Sequence, residues 1–464
     1  MQKKLKLIIT TARFESRNLS GAVMKRFNIY LTIFLGILII GLLCWLYFDN
    51  YLEMEKPKIK LSREISPIGK QKIVEIIFSD QKSGLSNLKA EIIQDNKGRI
   101  ITEEKIAVRG NKQKILSLTI DAATLNLTDG SATINISATD YSLFKNQTIL
   151  SQPVIIDTKP PQIILPGTVN YLNQGGTGFI AYRVSKPTDA TGIYINDHFT
   201  PGYTLKQDNK TTFVAYFAVP LFASNQKTKI IVFVRDEAGN EAKISLPCII
   251  QEKNFRSDKL NLSESFLQQK MPEFQSIYPQ LQGKTPVEVF GYVNSRMRED
   301  NDKVIQTICQ KSADKKLWKG TFLRMRNAAT MASFGDKRIY AVGGKELGSS
   351  IHLGVDLAST AHAAIYAANH GIVVFAEPLG IYGNTVIIDH GLGLFSLYAH
   401  LSSIETTVGK NVKKEELIGH SGTTGLAGGD HLHFGILADG QFVNPLEWWD
   451  PHWIEDKINK KMRF

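Results

Sequence analysis

Nine of the ten histidines in this 464-residue chain lie between His352 and His452. A side chain that both ligates metals and moves protons near neutral pH marks that end of the chain for chemistry. Three clusters stand out: His352-Leu353-Gly354-Val355-Asp356, Tyr398-Ala399-His400-Leu401 and His431-Leu432-His433-Phe434. The apolar residues around His431 and His433 read as a strand entered from the glycine-rich turn 419–429, and strand side chains alternate faces with a period of two. The two imidazoles therefore point the same way, as a metal ligand and an adjacent proton-transfer group require. His352 and Asp356 add an imidazole and a carboxylate, both of which Zn2+ accepts, and Val355, Leu357 and Gly354 favour a loop entering a strand. With one of the paired histidines they make three protein ligands, the count of a catalytic zinc site that keeps its fourth position for water. His400 ends the second strand of a hairpin, with 385–389 as its first strand and 390–393 as its turn, and is within reach of the same cleft.

The rest of the chain must carry and position these residues. Domains hold on the order of 100 to 200 residues, so several are expected. Apolar residues at 43% and charged residues at 21% exclude wholesale disorder and a multi-span membrane protein. Seven basic side chains and Glu15 precede Phe27, so six of the eleven net positive charges sit there and the remainder of the chain is only mildly basic. No basic stripe interleaved with aromatics appears, which argues against nucleic acid as a partner.

Residues 28–48 carry no charge and are long enough to cross a bilayer, which takes roughly 20 residues. Basic residues before the run and Asp49, Glu53 and Glu55 after it orient residues 1–27 toward the cytoplasm and the rest outward. The expectation is a single-pass membrane anchor with the C-terminal part on the far side of the membrane from the cytoplasm. The apolar core is too long for a cleaved signal peptide and no small-x-small site follows it. Cys44 lies inside the run; Cys248 and Cys309 are a single distant pair, too few for a disulfide framework, so the fold must rest on its cores.

From residue 57 to 253 short alternating apolar runs separated by turns predict β-sandwich. The runs ending at Asp140 and at Asp236-Glu237-Ala238-Gly239-Asn240 make two similar hairpins about one sandwich length apart. Two tandem domains fit, 57–157 and 158–253, joined at Asp157-Thr158-Lys159-Pro160-Pro161, where paired prolines stop a strand from running through. With Ser83-Gly84-Leu85 and the Asp-Glu-Ala-Gly-Asn turn as recognisable pieces, these segments resemble bacterial immunoglobulin-like repeats. The resemblance implies a spacer, or a module for envelope protein partners or glycan. The period then becomes helical. Thr285-Pro286-Val287-Glu288 is a capping box with proline at the first helical position, and Val289, Phe290, Val293, Met297, Val304, Ile305 and Ile308 form a core-facing stripe, so 254–325 is a short helical connector ahead of a final domain, 326–464.

The ordered set of His-x-x-x-Asp, Tyr-Ala-His-Leu, Gly-x-x-Gly-Thr-Thr-Gly and His-Leu-His-Phe resembles the lysostaphin-type (LytM-like) zinc metallopeptidases, which cleave peptides of peptidoglycan. The similarity runs from Ser333-Phe334-Gly335 to Asn444-Pro445-Leu446-Glu447-Trp448-Trp449. It implies an antiparallel β-sheet peptidase domain with one Zn2+ held by His352, Asp356 and His433, and with His400 and His431 handling protons and the oxyanion. His362, His370, His390, His420 and His452 are bystanders on this pattern. The architecture expected is mainly β and multidomain: a transmembrane helix, two immunoglobulin-like β-sandwiches, the helical connector and the zinc peptidase domain. The function implied is a membrane-anchored endopeptidase acting on peptidoglycan cross-links; a catalytically inactive member that activates another wall hydrolase, and an envelope scaffold, are the alternatives. An inner-membrane anchor without C-terminal wall-binding repeats leans toward a D-alanyl cross-link to a diamino acid rather than a glycine-rich bridge.

Overall fold

The structure, a computed structural model, describes residues 2–207 and 210–463, with side chains from residue 24 onward except at 206, 207 and 210. The chain divides into two compact units, Met1–Lys159 and Pro160–Phe464. The division falls at the Lys159-Pro160 step.

The first unit begins with a helix over Gln2–Phe48, of which Met24–Phe48 is long and apolar enough to cross a membrane and is exposed along its apolar window. Two antiparallel sheets follow. The strands Lys58–Leu61, Gln71–Ser79 and Gln113–Asp121 form one, and Lys97–Lys105, Leu85–Gln94, Gly130–Asp140 and Gln147–Ile156 form the other. Alternation in the sequence puts Val74, Ile76 and Phe78 of one sheet against Leu88, Ile92, Ile134 and Ile136 of the other, in a core of its own.

The second unit starts with two four-stranded sheets. Their inner faces bury Ile180, Tyr182, Phe217, Ile193 and Val232. The opposite side of the Thr177–Val184 and Lys210–Ala218 strands, with Phe179, Ala181, Val214 and Tyr216, packs into the core of the C-terminal region beside Trp318 and Trp448. Glu447 completes this seam, accepting hydrogen bonds from the Thr177 N–H at 2.6 Å and the Asn173 amide at 2.8 Å.

The C-terminal region is built on a ten-stranded sheet. Its central run is Ala329–Ala332, Val355–Ala358, Leu432–Ala438, Leu394–Ile404, Asn384–Asp389 and Gly371–Pro378, all antiparallel. One face buries Val355, Leu357, Phe434, Tyr398 and Ile436 against Trp448 and its neighbours. The other face meets the helices of the 254–325 segment. This segment opens with a strand, Ser257–Asn261, which the helical pattern after residue 257 does not anticipate and which pairs in parallel with Lys337–Val342. Ser263 and Thr285 cap the two helices Glu264–Ile277 and Pro286–Tyr292, the second through the reciprocal Thr285/Glu288 capping box. The helical run continues to Ile308 through a π-turn at Val293–Met297, and Val289, Phe290, Val293, Met297 and Ile305 bury against Phe395, Leu397, Ala399 and Leu437 of the sheet. The apolar stripe is therefore core, with Ile308 partly buried against it, except at Val304, which is exposed. Cys248 and Cys309 are both free thiols.

Candidate metal centre

Register explains why the site residues meet. Asp356 and His433 are direct cross-strand partners on Val355–Ala358 and Leu432–Ala438, so their side chains rise side by side from one face of the sheet. The opposite alternation sends Val355, Leu357, Leu432 and Phe434 into the core. His352 sits just before this pair in the turn that leaves Lys345–Ile351. The 333–336 loop grips it, the Gly335 N–H donating to the His352 carbonyl and the His352 N–H to the Asp336 carbonyl.

The three groups converge. His352 Nε2 lies 2.9 Å from Asp356 Oδ1 and 3.0 Å from His433 Nδ1, and His433 Nδ1 lies 2.9 Å from Asp356 Oδ1. All three are more than nine-tenths buried. The Nδ1–H of His352 donates to the Ser333 carbonyl at 2.9 Å, which leaves a lone pair on Nε2 of the neutral ring. A carboxylate oxygen and imidazole lone pairs facing one another at this distance repel unless a cation or a proton lies among them. Two nitrogens and one oxygen are a donor set that zinc takes readily, so the residues fit that metal.

A single glycine makes room for this packing. A Cβ at Gly354 would stand 2.5 Å from His433 Nε2 and 2.7 Å from the Phe434 carbonyl oxygen, so only a residue without a side chain lets His433 occupy its position. His433 Nε2 itself is buried without a hydrogen-bond partner.

His400 reaches the site by a backbone irregularity. It lies within Leu394–Ile404, four residues before the strand's end rather than at it, with φ of +61° where the register against Asn384–Asp389 slips. Strict alternation from Leu397, Tyr398 and Ala399 would turn residue 400 into the tryptophan-lined core; the left-handed residue resets the phase, so Leu401 fills the core and His400 faces the metal residues. Its ring centre is 4.8 Å from that of His431 and 5.8 Å from that of His433. The Gly-Thr-Thr-Gly turn holds it there. His400 Nδ1 donates to the Thr424 carbonyl at 2.8 Å, while the Thr424 hydroxyl donates to Leu401 O and accepts from the Asn384 N–H. Gly425 closes the turn with φ of +68°, and a Cβ there would meet the Gly383 nitrogen at 2.4 Å. His431 is fixed in the same manner, Nδ1 donating to Gly429 O at 2.8 Å and Nε2 pointing to Asp356 Oδ1 at 3.5 Å. Both rings thus direct Nε2 into the cleft.

Electrostatics follow from burial and the one carboxylate. Burial works to raise the Asp356 pKa, but His352, His431 and His433 outweigh it and hold the group well below the usual carboxylate range. Burial, then His431 and His433, pushes His400 well below an ordinary histidine, and burial pushes His433 down to about 4. For His431 burial also opposes charge, yet Asp356 prevails and the pKa rises.

Sequence reasoning missed Arg338. From the Lys337–Val342 strand its guanidinium donates to Asp356 Oδ2 at 2.9 Å, engaging the carboxylate oxygen that faces away from the histidines. A lone arginine in an alternating strand carries no sequence signal for this. The helices were also not placed: Phe266 and Phe290 line the cleft, a cavity of about 270 Å³, opposite the imidazoles. Of the remaining histidines, His390 is fully buried and bonded to His370 O and Ser396 Oγ, while His420 pairs with Glu405 and His362 with Asp430 away from the cluster.

A buried two-imidazole, one-carboxylate cluster flanked by two more imidazoles on an antiparallel sheet is a candidate metal centre. Residues 350–445 match peptidase family M23, and the chain carries an M23 (LytM-like) domain in its C-terminal part. Over 96 residues it is 41% identical to the DD-carboxypeptidase/endopeptidase Mpg of Neisseria meningitidis and 35% identical to the peptidoglycan DD-endopeptidase ShyA of Vibrio cholerae, covering 21% of this chain and 22% of each relative. The match thus spans about a fifth of the length of these curated relatives. Among solved structures, the catalytic domain of lysostaphin from Staphylococcus simulans aligns at 26% identity and a TM-score of 0.23, covering 28% of this chain and 96% of that one.

Proposed function

We propose that the protein is a membrane-anchored zinc endopeptidase that hydrolyses amide bonds in peptidoglycan cross-links. The observation that carries the reading is the convergence of His352, Asp356 and His433, whose ligand atoms all lie within 4.8 Å of one another, beside the Nε2 atoms of His400 and His431. A zinc ion held by the three would supply Lewis acidity toward an amide carbonyl and a bound water, lowering the water's pKa toward neutrality. His400 and His431 manage the protons. Each has its Nδ1–H committed to a carbonyl, so Nε2 takes a proton as base, returns it to the leaving amine, or donates from the charged ring to the developing oxyanion. Arg338 orients Asp356, and Phe266 and Phe290 give the cleft an apolar wall that limits water.

The relatives named above, a DD-carboxypeptidase/endopeptidase and a DD-endopeptidase, favour the amide between D-alanine and a diamino acid as the scissile bond. The charge-free run 28–48 and the basic residues before it support an inner-membrane anchor with the remainder on the wall side. The two-sheet arrangement of the first unit, three strands against four, is compatible with an immunoglobulin-like spacer.

The test is digestion of purified peptidoglycan by the detergent-solubilised protein, with muropeptides read by mass spectrometry and zinc by elemental analysis. Zinc near one per chain with loss of cross-linked dimers is expected. His400→Ala and His431→Ala should each keep the metal and lose about 10²- to 10⁴-fold in rate. Bound zinc with no hydrolysis by the wild type would favour an inactive, partner-activating role.

A further inference from the structure

A second cluster of acidic side chains lies in the first unit, and it has no part in the site described above. Glu53 follows the end of the long helix by five residues, Asp80 follows the Gln71–Ser79 strand, and Asp140 ends the Gly130–Asp140 strand. Their carboxylate oxygens lie within 4.8 Å of one another, and the residues are only 4%, 4% and 0% exposed. Among the described residues, no lysine or arginine forms an ion pair with any of the three; Lys82, the nearest basic residue in sequence to Asp80, pairs instead with exposed Glu55. The contrast within the chain is informative. At the corresponding hairpin of the second unit, Asp236 is buried too, but the Lys186 ammonium stands 2.8 Å from it.

Backbone donors account for part of the oxygen array. Asp80 Oδ1 accepts from the Lys82 and Gly84 N–H groups, Glu53 Oε2 from the Ser83 N–H, and Asp140 Oδ1 from the Ser142 N–H and hydroxyl. Two oxygens remain over. Glu53 Oε1 and the Ser83 hydroxyl are both buried with no partner, and Ser83 is 2% exposed. The Asn146 amide nitrogen, with two hydrogens to give, has four oxygens within reach: Glu53 O, Glu55 O, Asp140 Oδ2 and Ser142 Oγ. Uncompensated buried carboxylates of this kind are costly, and each leftover oxygen adds its own desolvation.

We propose that Glu53, Asp80 and Asp140, with the Ser83 hydroxyl, bind a calcium ion that fastens the segment following the N-terminal helix to the first β unit. Every donor is a hard oxygen, with no imidazole or thiolate to recruit zinc. Calcium–oxygen distances of about 2.3 to 2.6 Å put opposite ligands about 4.6 to 5.2 Å apart, so the observed spread surrounds one such ion. The same joint already has one fastening, since Arg109 donates to the side chain and carbonyl of Asp49 and its guanidinium stacks 3.5 Å over the Tyr51 ring. The ion supplies the second, joining residue 53 to the 80–84 and 140–146 loops.

Hydrogen–deuterium exchange of the zinc-loaded, detergent-solubilised full chain tests this. Exchange in 49–57, 80–85 and 140–146 is followed as Ca2+ rises from zero, with Mg2+ as the control. Half-saturation between about 10⁻⁵ and 10⁻³ M is expected, and at ten times that concentration opening of these segments should slow about tenfold. Glu53→Gln, in a loop outside the β core, and Asp140→Asn should each abolish the response, whereas Asp356→Asn, which removes a ligand of the other centre, should retain it. Absence of a calcium response in the wild-type chain, its survival in Glu53→Gln, or equal protection by Mg2+ overturns the assignment.

Discussion

Replacing Gly354 by alanine isolates the steric device on which the metal centre depends. The backbone at this glycine is not in the left-handed region, so alanine meets no conformational penalty and the effect comes from the added methyl alone. That methyl would sit 2.5 Å from His433 Nε2 and 2.6 Å from Cε1, whereas carbon packs comfortably at about 3.5 Å, so ring and strand must separate by about 1 Å. Neither side yields easily. The ring is wedged between His352 and Tyr382, and the third atom in the way, 2.7 Å off, is the Phe434 carbonyl oxygen. Metal ligation tolerates about 0.2 Å. Gly354→Ala should therefore lower zinc affinity by at least the roughly 10- to 100-fold seen when ligand support is lost, and overpacking should cost about 1 to 3 kcal/mol of stability. Competition against a chromogenic chelator gives the first quantity and denaturant unfolding of the apo-protein the second. A folded Gly354→Ala protein holding zinc as tightly as wild type would refute the reasoning, because His433 would then not need the space that the glycine leaves.

Three further outcomes follow from the same geometry. Arg338→Gln removes the charged donor to Asp356 Oδ2, and zinc should dissociate to a chelator about 10- to 100-fold more readily, with Arg338→Lys intermediate; an unchanged off-rate would deny the arginine its orienting role. Glu447→Ala leaves the buried Thr177 N–H and the Asn173 amide without their acceptor and should cost about 1 to 3 kcal/mol in denaturant unfolding, with Glu447→Gln losing less. Burial, partly offset by Arg298, pushes the Asp302 pKa up from 3.8 to about 6, so the folded chain holds an extra proton between those values. Its contribution is complete below the unfolded pKa and is lost as pH rises through about 6, a change of at most ~3 kcal/mol. Asp302→Asn should flatten that decline between pH 4 and 7 in unfolding measurements, and an identical pH profile would contradict it.

Much of the site was legible because it is local in sequence. The spacing of His431 and His433 specifies one face of a strand whatever surrounds it, since alternation is a property of the extended backbone. Thr285 and Glu288 sit three residues apart and satisfy each other's helix terminus without help from elsewhere. The charge-free run up to Phe48 declares a helix that can cross a membrane by length alone. The dipeptide Pro160-Pro161 marks where the contacts divide.

What sequence could not supply was anything fixed by a partner distant along the chain. The approach of His400 depends on a left-handed residue inside a strand, which no side-chain pattern announces, because a histidine at φ of +61° persists only when Thr424 and the neighbouring strands hold it. Arg338 meets Asp356 across the intervening strand Lys345–Ile351, and Ser257–Asn261 meets Lys337–Val342 across the helices that separate them in the chain. Glu53, Asp80 and Asp140 look like ordinary surface acids until three loops fold over them. Residue types and short-range spacing determined which groups are available and which way each local element presents them. Tertiary packing alone decided which of those groups share a desolvated point, since burial and apposition are properties of the closed core and not of any one segment.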